Sequence, residues 1–345
     1  MNKQRWIRRE IMSVVTTGIL IAFPWLANAQ TVCTGGPPET KSVTLLADWL
    51  PWTVQAPFYE AKQKGFYKEE GLEVDIKSPP NPADPIKLVA TGRVQFSLTY
   101  VPEIMLARDV GIPVVSIGVV LQRIGSGLIV MPEKKVKSVA DLKGMTLGVG
   151  PKADAQAYLR TMLAAAGLKR EDVKIVDPGF AHIPMLKAGT IDAAHGMSFS
   201  ELLVINGRQL KENKPPAIFL PYSDYGVPNF YYMLIAANEV WLKENPQTTC
   251  RFIKATIKGL RSALSSPESI NRFLTDVRPG VYTYEENMEK WGVMKPLWEG
   301  KNKDNFFTQD LDMWTAAQKW AIQSKLINEP VESPQKYFDP RYLPK

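Results

Sequence analysis

Short apolar runs alternate with segments of helical spacing along the first two thirds of the chain. Apolar runs typical of buried strands occupy residues 43–47, 72–77, 94–100 and 114–120, with helical segments at 56–64 and 84–91. Strands that alternate with helices indicate β-α-β units, in which a parallel sheet is covered by helices on both faces.

The same alternation restarts near residue 127. Strands are predicted at residues 127–131, 145–149, 173–176 and 190–194, and helices at 139–142, 154–166 and 183–188. No Gly/Ser-rich linker separates the two runs, so they predict two lobes joined by crossing strands, with a cleft between them. A long apolar strand at 230–237 follows, and from Val240 the chain is mostly helical.

The lobe limits follow from this division. Without its first 29 residues the chain has about 316 residues, twice the rough 150-residue size of a single domain. We place lobe one at residues 40–122 plus 226–345, and lobe two at residues 123–225.

The N-terminus has the three parts of a secretory signal peptide. Four basic residues precede the apolar segment 11–25, and Ala27-Asn28-Ala29 forms a small-x-small cleavage site. We therefore expect residues 1–29 to be removed and the mature chain, starting at Gln30, to be a soluble exported protein. The apolar segment is shorter than the roughly 20 residues that span a bilayer, and no later segment approaches that length. No stable membrane insertion of the mature chain is expected.

The charge balance argues against a nucleic-acid partner. The formal net charge is +7, of which the predicted signal peptide carries about +3. The remaining charge of about +4 is small and evenly spread, whereas nucleic-acid-binding domains concentrate basic residues on one surface. It is typical of an ordinary solvated surface.

Motifs for catalysis or metal binding are absent from the sequence. No glycine-rich phosphate loop follows a strand, and neither G-x-S-x-G nor H-E-x-x-H occurs. Cys33, Cys250, His182 and His195 have no close spacing, so no metal site is expected. An oxidising compartment favours a disulfide between two cysteines, but their separation in sequence leaves the bridge open. We expect no catalytic residues and no cofactor.

The loop after the first predicted strand gives the strongest indication of a ligand site. Ligands of open α/β sheets bind outside the carboxyl ends of the strands. Trp49 and Trp52 place two flat apolar faces there, which suits stacking on a small ring. Tyr100 and Glu103 follow another predicted strand, and His195 ends the strand 190–194. Each has a structural alternative: the tryptophans as core residues, Glu103 as a helix-dipole partner and His195 as a hydrogen-bonded structural residue.

Several motifs occur in order along nearly the whole mature chain. They are Asp48-Trp49-x-Pro51, Ala56-Pro57, Lys64-Gly65-Phe66-Tyr67-Lys68-x-Glu70-Gly71-Leu72, Asn81-Pro82-x-Asp84-Pro85, Leu142-Lys143-Gly144, Tyr225-Gly226-Val227-Pro228 and Tyr342-Leu343-Pro344. Together they resemble the ABC-transporter substrate-binding proteins related to thiamine-pyrimidine synthases. The resemblance implies a two-lobed α/β periplasmic-binding-protein fold of type II. In that fold each lobe is a mainly parallel sheet flanked by helices, and the ligand cleft lies between the lobes.

Within this family the residues favour a binding protein over an enzyme. The eukaryotic synthases carry a CCCFC motif, a lysine that holds pyridoxal phosphate and a histidine consumed as substrate. The CCCFC region corresponds here to residues 226–232, which contain no cysteine, and the other two positions correspond to Thr99 and Glu103. The resemblance therefore implies a receptor that delivers its ligand to a membrane permease driven by an ATPase.

Two branches of the family bind different ligands. Relatives that bind nitrate, taurine or alkanesulfonates hold the anion with hydroxyl residues at a helix N-terminus. The corresponding segment here is Gly150-Pro151-Lys152-Ala153-Asp154, where an N-capping Asp154 would repel an anion and Lys152 would offset that repulsion.

The formylaminopyrimidine-binding relatives share the Tyr-Gly-Val-Pro run and a glutamate that Glu201 matches. A carboxylate accepts both hydrogens of an exocyclic amine, which suits an aminopyrimidine. This sequence departs from their pattern, with Trp52 and Gln55 in place of an asparagine and a histidine, and Met197 in place of a tyrosine. A heteroaromatic ligand is therefore favoured over an anion.

The sequence predicts a periplasmic solute-binding protein of an ABC importer for a small heteroaromatic ligand such as a thiamine pyrimidine precursor. The alternatives left open are another solute (a riboflavin-like ring, an alkanesulfonate, taurine or nitrate), an exported enzyme using the same cleft, and a sensory or scaffold module. The expected partners are the ligand and the permease and ATPase components, and the mature chain is expected to be a monomer. The predicted ligand-binding residues are Trp49, Trp52, Gln55, Tyr100, Glu103, His195, Glu201, Tyr225 and Asn229.

Overall fold

The computed structural model describes residues 31–300 and 306–344. The predicted signal peptide at residues 1–29 lies outside the described residues. Among the helices of the described part, none combines the length and the apolar character needed to cross a bilayer.

Strands and helices alternate through most of the described chain. The strands are β1 (Ser42–Leu46), β2 (Glu73–Lys77), β3 (Phe96–Tyr100), β4 (Val114–Val119), β5 (Ser126–Val130), β6 (Thr146–Gly148), β7 (Lys174–Val176), β8 (Ala193–Met197), β9 (Ile218–Pro221) and β10 (Met233–Asn238). The helices are α1 (Ala56–Gln63), α2 (Phe66–Glu69), α3 (Pro85–Ala90), α4 (Val101–Asp109), α5 (Ala153–Ala165), α6 (His182–Lys187), α7 (Leu203–Lys211), α8 (Glu239–Glu244), α9 (Pro246–Ser265), α10 (Pro267–Asp276), α11 (Tyr284–Glu299) and α12 (Leu311–Gln323).

The strands form two five-stranded sheets. The first sheet has the order β2-β1-β3-β10-β4, and the second has the order β7-β6-β8-β5-β9. In the first sheet β10 runs antiparallel to both of its neighbours, and in the second sheet β5 does the same. Each sheet therefore has four strands in one direction and one reversed strand, which confirms the predicted pair of mainly parallel α/β sheets. The lobe limits themselves stay a prediction.

Burial along the strands follows their place in the sheets. Every residue of β3, β4 and β5 is buried, as expected for strands covered on both faces. The edge strand β2 instead exposes Glu73, Asp75 and Lys77 to solvent. Charged side chains on an edge strand discourage pairing with another chain.

The long helix α9 covers one face of the first sheet by packing on α1. Its apolar positions recur at helical spacing, and Phe252 stacks on Phe96 of β3 with ring centroids 4.1 Å apart. Gly259 allows the close approach of the two helices, because a Cβ at this position would lie 2.3 Å from the Pro57 carbonyl oxygen.

A disulfide ties the first described residues to α9. Cys33 and Cys250 are bonded with Cα atoms 5.6 Å apart, which answers the question that the sequence left open. Gln247 reinforces the attachment, since its amide donates to the Val32 carbonyl and accepts from the Thr34 N–H.

One strand boundary differs from the sequence prediction in a way that matters for the site. The strand predicted at residues 190–194 lies at 193–197, where it pairs with β5 so that His195 faces Leu128 in register. His195 is thus at the centre of β8 rather than at its end. The preceding Asp192 instead accepts hydrogen bonds from the Thr146 N–H and Lys134. Helices α7 and α10 and strand β9 were not predicted from the sequence.

Candidate functional site

A cavity of about 80 Å³ lies between the strand ends of the two sheets. The first sheet contributes Asp48, Trp49 and Trp52 after β1, Tyr100 at the end of β3, and Tyr232 directly before β10. Since β10 is reversed, its beginning lies at the same edge as the carboxyl ends of β1 and β3. The enclosed space holds roughly half a dozen waters, or one small ring.

The second sheet closes the cavity from the other side. Its contribution comes from the segment after β6, from the segment after β7, and from β8 with the turn that follows it. The residues that carry polar groups there are Lys152, Asp154, Asp177, His182, His195 and Glu201. Both sheets thus present their strand ends to one space, as ligand sites of α/β proteins do.

A chain of hydrogen bonds joins the two walls. Lys152 donates to the Tyr100 hydroxyl at 3.1 Å, and Tyr100 donates to Asp48 at 2.7 Å. The other oxygen of Asp48 accepts from the Gln55 amide at 2.9 Å. The ammonium of Lys152 also lies 4.2 Å from the centroid of the Tyr100 ring. Asp48 and Tyr100 are therefore held in place by partners on both sides.

Two tryptophans face residues of the opposite wall. Trp49 meets Phe180 edge-on, with ring centroids 4.6 Å apart, and His182 at 5.5 Å. Trp52 stacks on Phe199 at 6.3 Å, and its buried indole N–H has no hydrogen-bond partner among the described residues. Both tryptophans therefore border the cavity while packing on phenylalanines that lie outside its lining, and Trp52 adds an unused donor.

Glu201 lies in the single π-helical turn Ser198–Leu202 after β8. One carboxylate oxygen accepts from the Met197 N–H at 3.0 Å, and the other lies 3.8 Å from Nε2 of His182. Burial alone would raise the pKa of Glu201, but His182 and the Met197 N–H stabilise the charged form and hold the pKa below its usual value. Glu201 is therefore an ionised hydrogen-bond acceptor at the cavity wall.

His195 is kept neutral in the folded protein. Burial, together with the neighbouring His182 and Lys152, lowers its pKa to about 3, although Glu201 acts in the opposite direction. Its Nδ1 lies 3.1 Å from the Tyr222 hydroxyl, and the two rings stack with centroids 5.7 Å apart. A neutral imidazole provides one donor and one acceptor, so His195 has a hydrogen-bonding group besides the one facing Tyr222.

Two further carboxyl groups are buried where α4 and α5 approach each other. Asp154 is the second residue of α5, whose N-cap is Lys152, so the expectation that Asp154 caps this helix was wrong. Burial raises the pKa of Asp154. Burial and the charge of Asp154 raise the pKa of Glu103 to about 7, and Glu103 accepts a hydrogen bond from the Thr99 hydroxyl.

The structure brings five of the nine predicted site residues to the cavity wall. They are Trp49, Trp52, Tyr100, His195 and Glu201.

The remaining four do not line the cavity. Gln55 lies behind the wall and supports Asp48, while Glu103 is buried in the first turn of α4. Tyr225 is partly buried, and Asn229 is exposed. Contact of any of the nine with a ligand stays a prediction.

Sequence reasoning did not select Asp48, Lys152, Asp154, Asp177, His182 or Tyr232 as site residues. Asp48 directly follows β1, and Lys152 and Asp177 follow β6 and β7, so position after a strand was the available signal. No local sequence pattern indicated that the charged side chain of Asp154 would be buried. Within the described residues, no group of three or more His, Cys, Asp or Glu side chains is arranged to hold a metal ion.

The arrangement of the two sheets matches solved structures of one class. The periplasmic aliphatic sulphonate-binding protein SsuA of Escherichia coli superposes with a TM-score of 0.61 at 14% identity, covering 87% of this chain and 93% of that one. Two α/β lobes with a cavity at their strand ends define the periplasmic-binding-protein fold, and this chain has that fold. The family described as NMT1/THI5 like matches residues 52–270. The chain belongs to this family.

Named relatives include both binders and enzymes. A formylaminopyrimidine-binding protein of Halalkalibacterium halodurans is 30% identical over 315 residues, which cover 91% of this chain and 94% of the relative. The 4-amino-5-hydroxymethyl-2-methylpyrimidine phosphate synthase THI13 of Saccharomyces cerevisiae is 28% identical over 249 residues, which cover 70% of this chain and 72% of the relative.

The positions at which the family resemblance implies the synthase residues are occupied differently in this chain. At the position implied for the lysine, Thr99 is buried and its hydroxyl donates to Glu103. The segment 226–232 contains no cysteine, and both cysteines of the chain form the disulfide described above.

Proposed function

We propose that the protein is the periplasmic solute-binding component of an ABC importer and that it binds a small nitrogen-containing heteroaromatic ring, such as a thiamine pyrimidine precursor. The observation that carries this proposal is the shared cavity, in which Trp49 and Trp52 border the same space as the ionised Glu201. The 30% identical relative named as a formylaminopyrimidine-binding protein supports the same ligand class.

The cavity offers two kinds of recognition. The tryptophans provide flat apolar surface, which favours burial of a ring. Glu201 and neutral His195 provide hydrogen-bonding groups for the ring edge, and an unpaired buried polar group costs about 1–3 kcal/mol. A ligand that lacks matching donors is therefore disfavoured at this site.

Binding is coupled to closure of the lobes in this proposal. Lys152, which follows β6 of the second sheet, donates to Tyr100 at the end of β3, and Trp49, which follows β1, packs edge-on against Phe180, which follows β7. A ligand held between these walls stabilises the closed arrangement and shifts the population towards it. The closed form is what a permease and its ATPase would recognise, and we propose a monomeric periplasmic receptor for that role.

A thermal-shift and calorimetry screen of the mature protein tests this function. The probes are 4-amino-5-hydroxymethyl-2-methylpyrimidine, riboflavin, taurine, an alkanesulfonate and nitrate. We expect the pyrimidine to raise the melting temperature and to bind with the lowest Kd. Stabilisation by the anions alone would contradict the proposal.

Variants of one carboxylate locate the binding site. Glu201→Gln is expected to weaken pyrimidine binding by about 10- to 100-fold, since it replaces an acceptor with a donor. Glu212→Gln, an exposed position ion-paired only with Lys214 in the described residues, is the matched control and should bind as the wild type. Recovery of the ligand unchanged after denaturation would separate a receptor from an exported enzyme, which would release a product.

A further inference from the structure

Asp154 is a buried carboxylic acid that lacks a side-chain hydrogen-bond partner among the described residues. Its residue is 1% exposed and it lines the cavity. The backbone N–H groups of Asp154 and Ala155 and the charge of Lys152 act to stabilise its charged form, while burial opposes it and raises the pKa. Leaving a buried charged group unpaired is costly, and such groups in native proteins call for an explanation.

The other carboxylates of the cavity wall do have partners. Asp48 accepts from Gln55 and Tyr100, and Glu201 accepts from the Met197 N–H. Asp177 accepts from the Gly179 N–H at 3.0 Å. Lys152, the nearest cation by sequence, directs its ammonium to the Tyr100 hydroxyl. Among the described residues, Asp154 is therefore the wall carboxylate that accepts no well-aligned hydrogen bond.

The charge of the cavity favours a cation over an anion. Four carboxylic acids line it, and Lys152 is the one lysine or arginine on its described wall, while His195 is neutral. The N-terminus of α5 would otherwise attract an anion through its free N–H groups and dipole. Here Asp154 places a carboxylate inside the first turn of that helix, where it repels an incoming phosphate or sulfonate.

We propose that Asp154 receives a positively charged, hydrogen-donating nitrogen of the ligand, such as a primary ammonium or an amidinium group. This inference rests on the proposed function and deepens it by naming the ligand class. The site then takes an amino-substituted heteroaromatic cation and excludes its phosphorylated counterpart. Glu201 and Asp154 would accept hydrogen bonds from two different parts of the same ligand.

Three matched pyrimidines test the proposal by titration calorimetry. They share the 4-amino-2-methylpyrimidine ring and carry an aminomethyl, a hydroxymethyl or a phosphorylated hydroxymethyl group at position 5. The wild-type protein is expected to bind the aminomethyl compound at least 10-fold more tightly than the hydroxymethyl compound, and the phosphate at least 100-fold more weakly than the aminomethyl compound. Equal affinity for the amine and the phosphate would overturn the inference.

Asp154→Asn should abolish the preference for the amine. We expect a loss of at least 10-fold in affinity for the aminomethyl compound and little change for the hydroxymethyl compound. Without ligand, the variant should melt at the same or a higher temperature, because it no longer buries an unpaired carboxylate. Retention of the wild-type preference in a folded variant would overturn the inference.

Asp312→Asn is the matched control. Asp312 is also the second residue of a helix, α12, but it is exposed to solvent. It should leave all three affinities unchanged. If the wild type binds the pyrimidines without preference, the proposed function stands and the role of Asp154 fails. If it binds none of the three, both fail.

Discussion

The surroundings of His195 determine its protonation state. It sits at the centre of β8, half-buried, with its ring stacked on Tyr222 and its Nδ1 facing the Tyr222 hydroxyl. Because burial lowers its pKa to about 3, His195 stays neutral in the folded protein at pH values where an unfolded chain, with a histidine pKa near 6.5, is protonated. Its protonation state is therefore linked to folding.

The sign of this linkage gives a pH prediction. Between about pH 6.5 and pH 3 the unfolded state binds the proton and the folded state does not, so His195 makes the protein less stable as the pH falls. Glu103 acts in the opposite sense between its unfolded pKa and about 7, since the folded state holds that proton. His195→Asn should therefore flatten the loss of stability on acidification.

Urea unfolding of the ligand-free protein at pH 4.5 and pH 7 measures this effect. The difference in free energy of unfolding between the two pH values should be smaller in His195→Asn than in the wild type. Glu103→Gln is the companion variant, and it should make the loss of stability on acidification steeper. An unchanged pH difference in His195→Asn would show that His195 titrates normally.

Single residues show where sequence reasoning succeeds and where it stops. Trp49 and Trp52 were identifiable because they follow an apolar strand, and position after a strand fixes their side of the sheet. Asp154 was recognised as unfavourable for anions, but its burial depends on the approach of α4 and α5, which no local pattern encodes. Tyr225 lies in a matching motif and Asn229 directly follows it, yet neither residue reaches the cavity wall.

Helix α11 begins with a capping box, and one residue of that box also pairs with α7, the helix between β8 and β9 of the second sheet. Thr283 and Glu286 form a reciprocal capping box at its first turn. Glu286 also pairs with Arg208 of α7 through two hydrogen bonds of 2.6 and 2.8 Å. Since α7 connects β8 to β9, this ion pair joins a helix of the second-sheet region to one that follows the first sheet.

Removing the charge of Glu286 tests this connection. Glu286→Gln keeps a side chain able to complete the capping box but breaks the ion pair, so we expect it to cost about 1–2 kcal/mol of unfolding free energy. The estimate is modest because the Arg208 side chain is 37% exposed and screened by solvent. Glu285→Gln, the exposed neighbour in the same turn, is the control in chemical denaturation. Equal stability of the two variants would show that the ion pair contributes nothing.

Helices and strands were predicted best where one hydrophobic pattern dominates the segment. The apolar runs of β3, β4 and β5 are unambiguous, and α9 has apolar positions at regular helical spacing. Strand β8 was displaced because Ile191 and Ala193 extend the apolar run at one end, while the small residues and His195 at the other end weaken it. Pairing with β5 decides the true boundary, and pairing partners are distant in sequence.

At the scale of the whole molecule, the disulfide closes a loop that contains both sheets. Cys33 and Cys250 are separated by 217 residues, so the bond restricts a large part of the unfolded chain. Loops of this size are the ones that a crosslink stabilises most in the chain-entropy view. The sequence could not decide this pairing, because a separation along the chain does not give the distance between two Cα atoms.

Loss of this bond is expected to lower global stability. The double variant Cys33→Ser/Cys250→Ser should lose about 2–5 kcal/mol of unfolding free energy and melt at a lower temperature. Dithiothreitol should lower the melting temperature of the wild type towards that of the variant and leave the variant unchanged. A wild-type protein insensitive to reduction, with a variant of equal stability, would contradict this expectation.

The topology as a whole was only partly accessible from sequence. The β-α-β rhythm predicts strands of one direction, and four strands in each sheet obey it. Strands β5 and β10 are reversed, but a buried strand has the same apolar pattern in either direction, so their orientation is not encoded locally. The chain passes between the sheets in the segments 120–125 and 222–232, neither of which contains a strand, and the predicted lobe limits stay a prediction.

The central place of β10 has a consequence for the order of folding. Among the described strands, the neighbour of β4 in the first sheet is β10, which lies more than 110 residues further along the chain, and Phe307 and Phe338, further still, form isolated bridges to β4. The second sheet, in contrast, takes all its strands from the continuous stretch 126–221. A chain emerging from its N-terminus therefore completes the second sheet while β4 still lacks a neighbour. The first sheet closes last, and the unpaired β4 is the segment most exposed to misassembly until residue 238 has arrived.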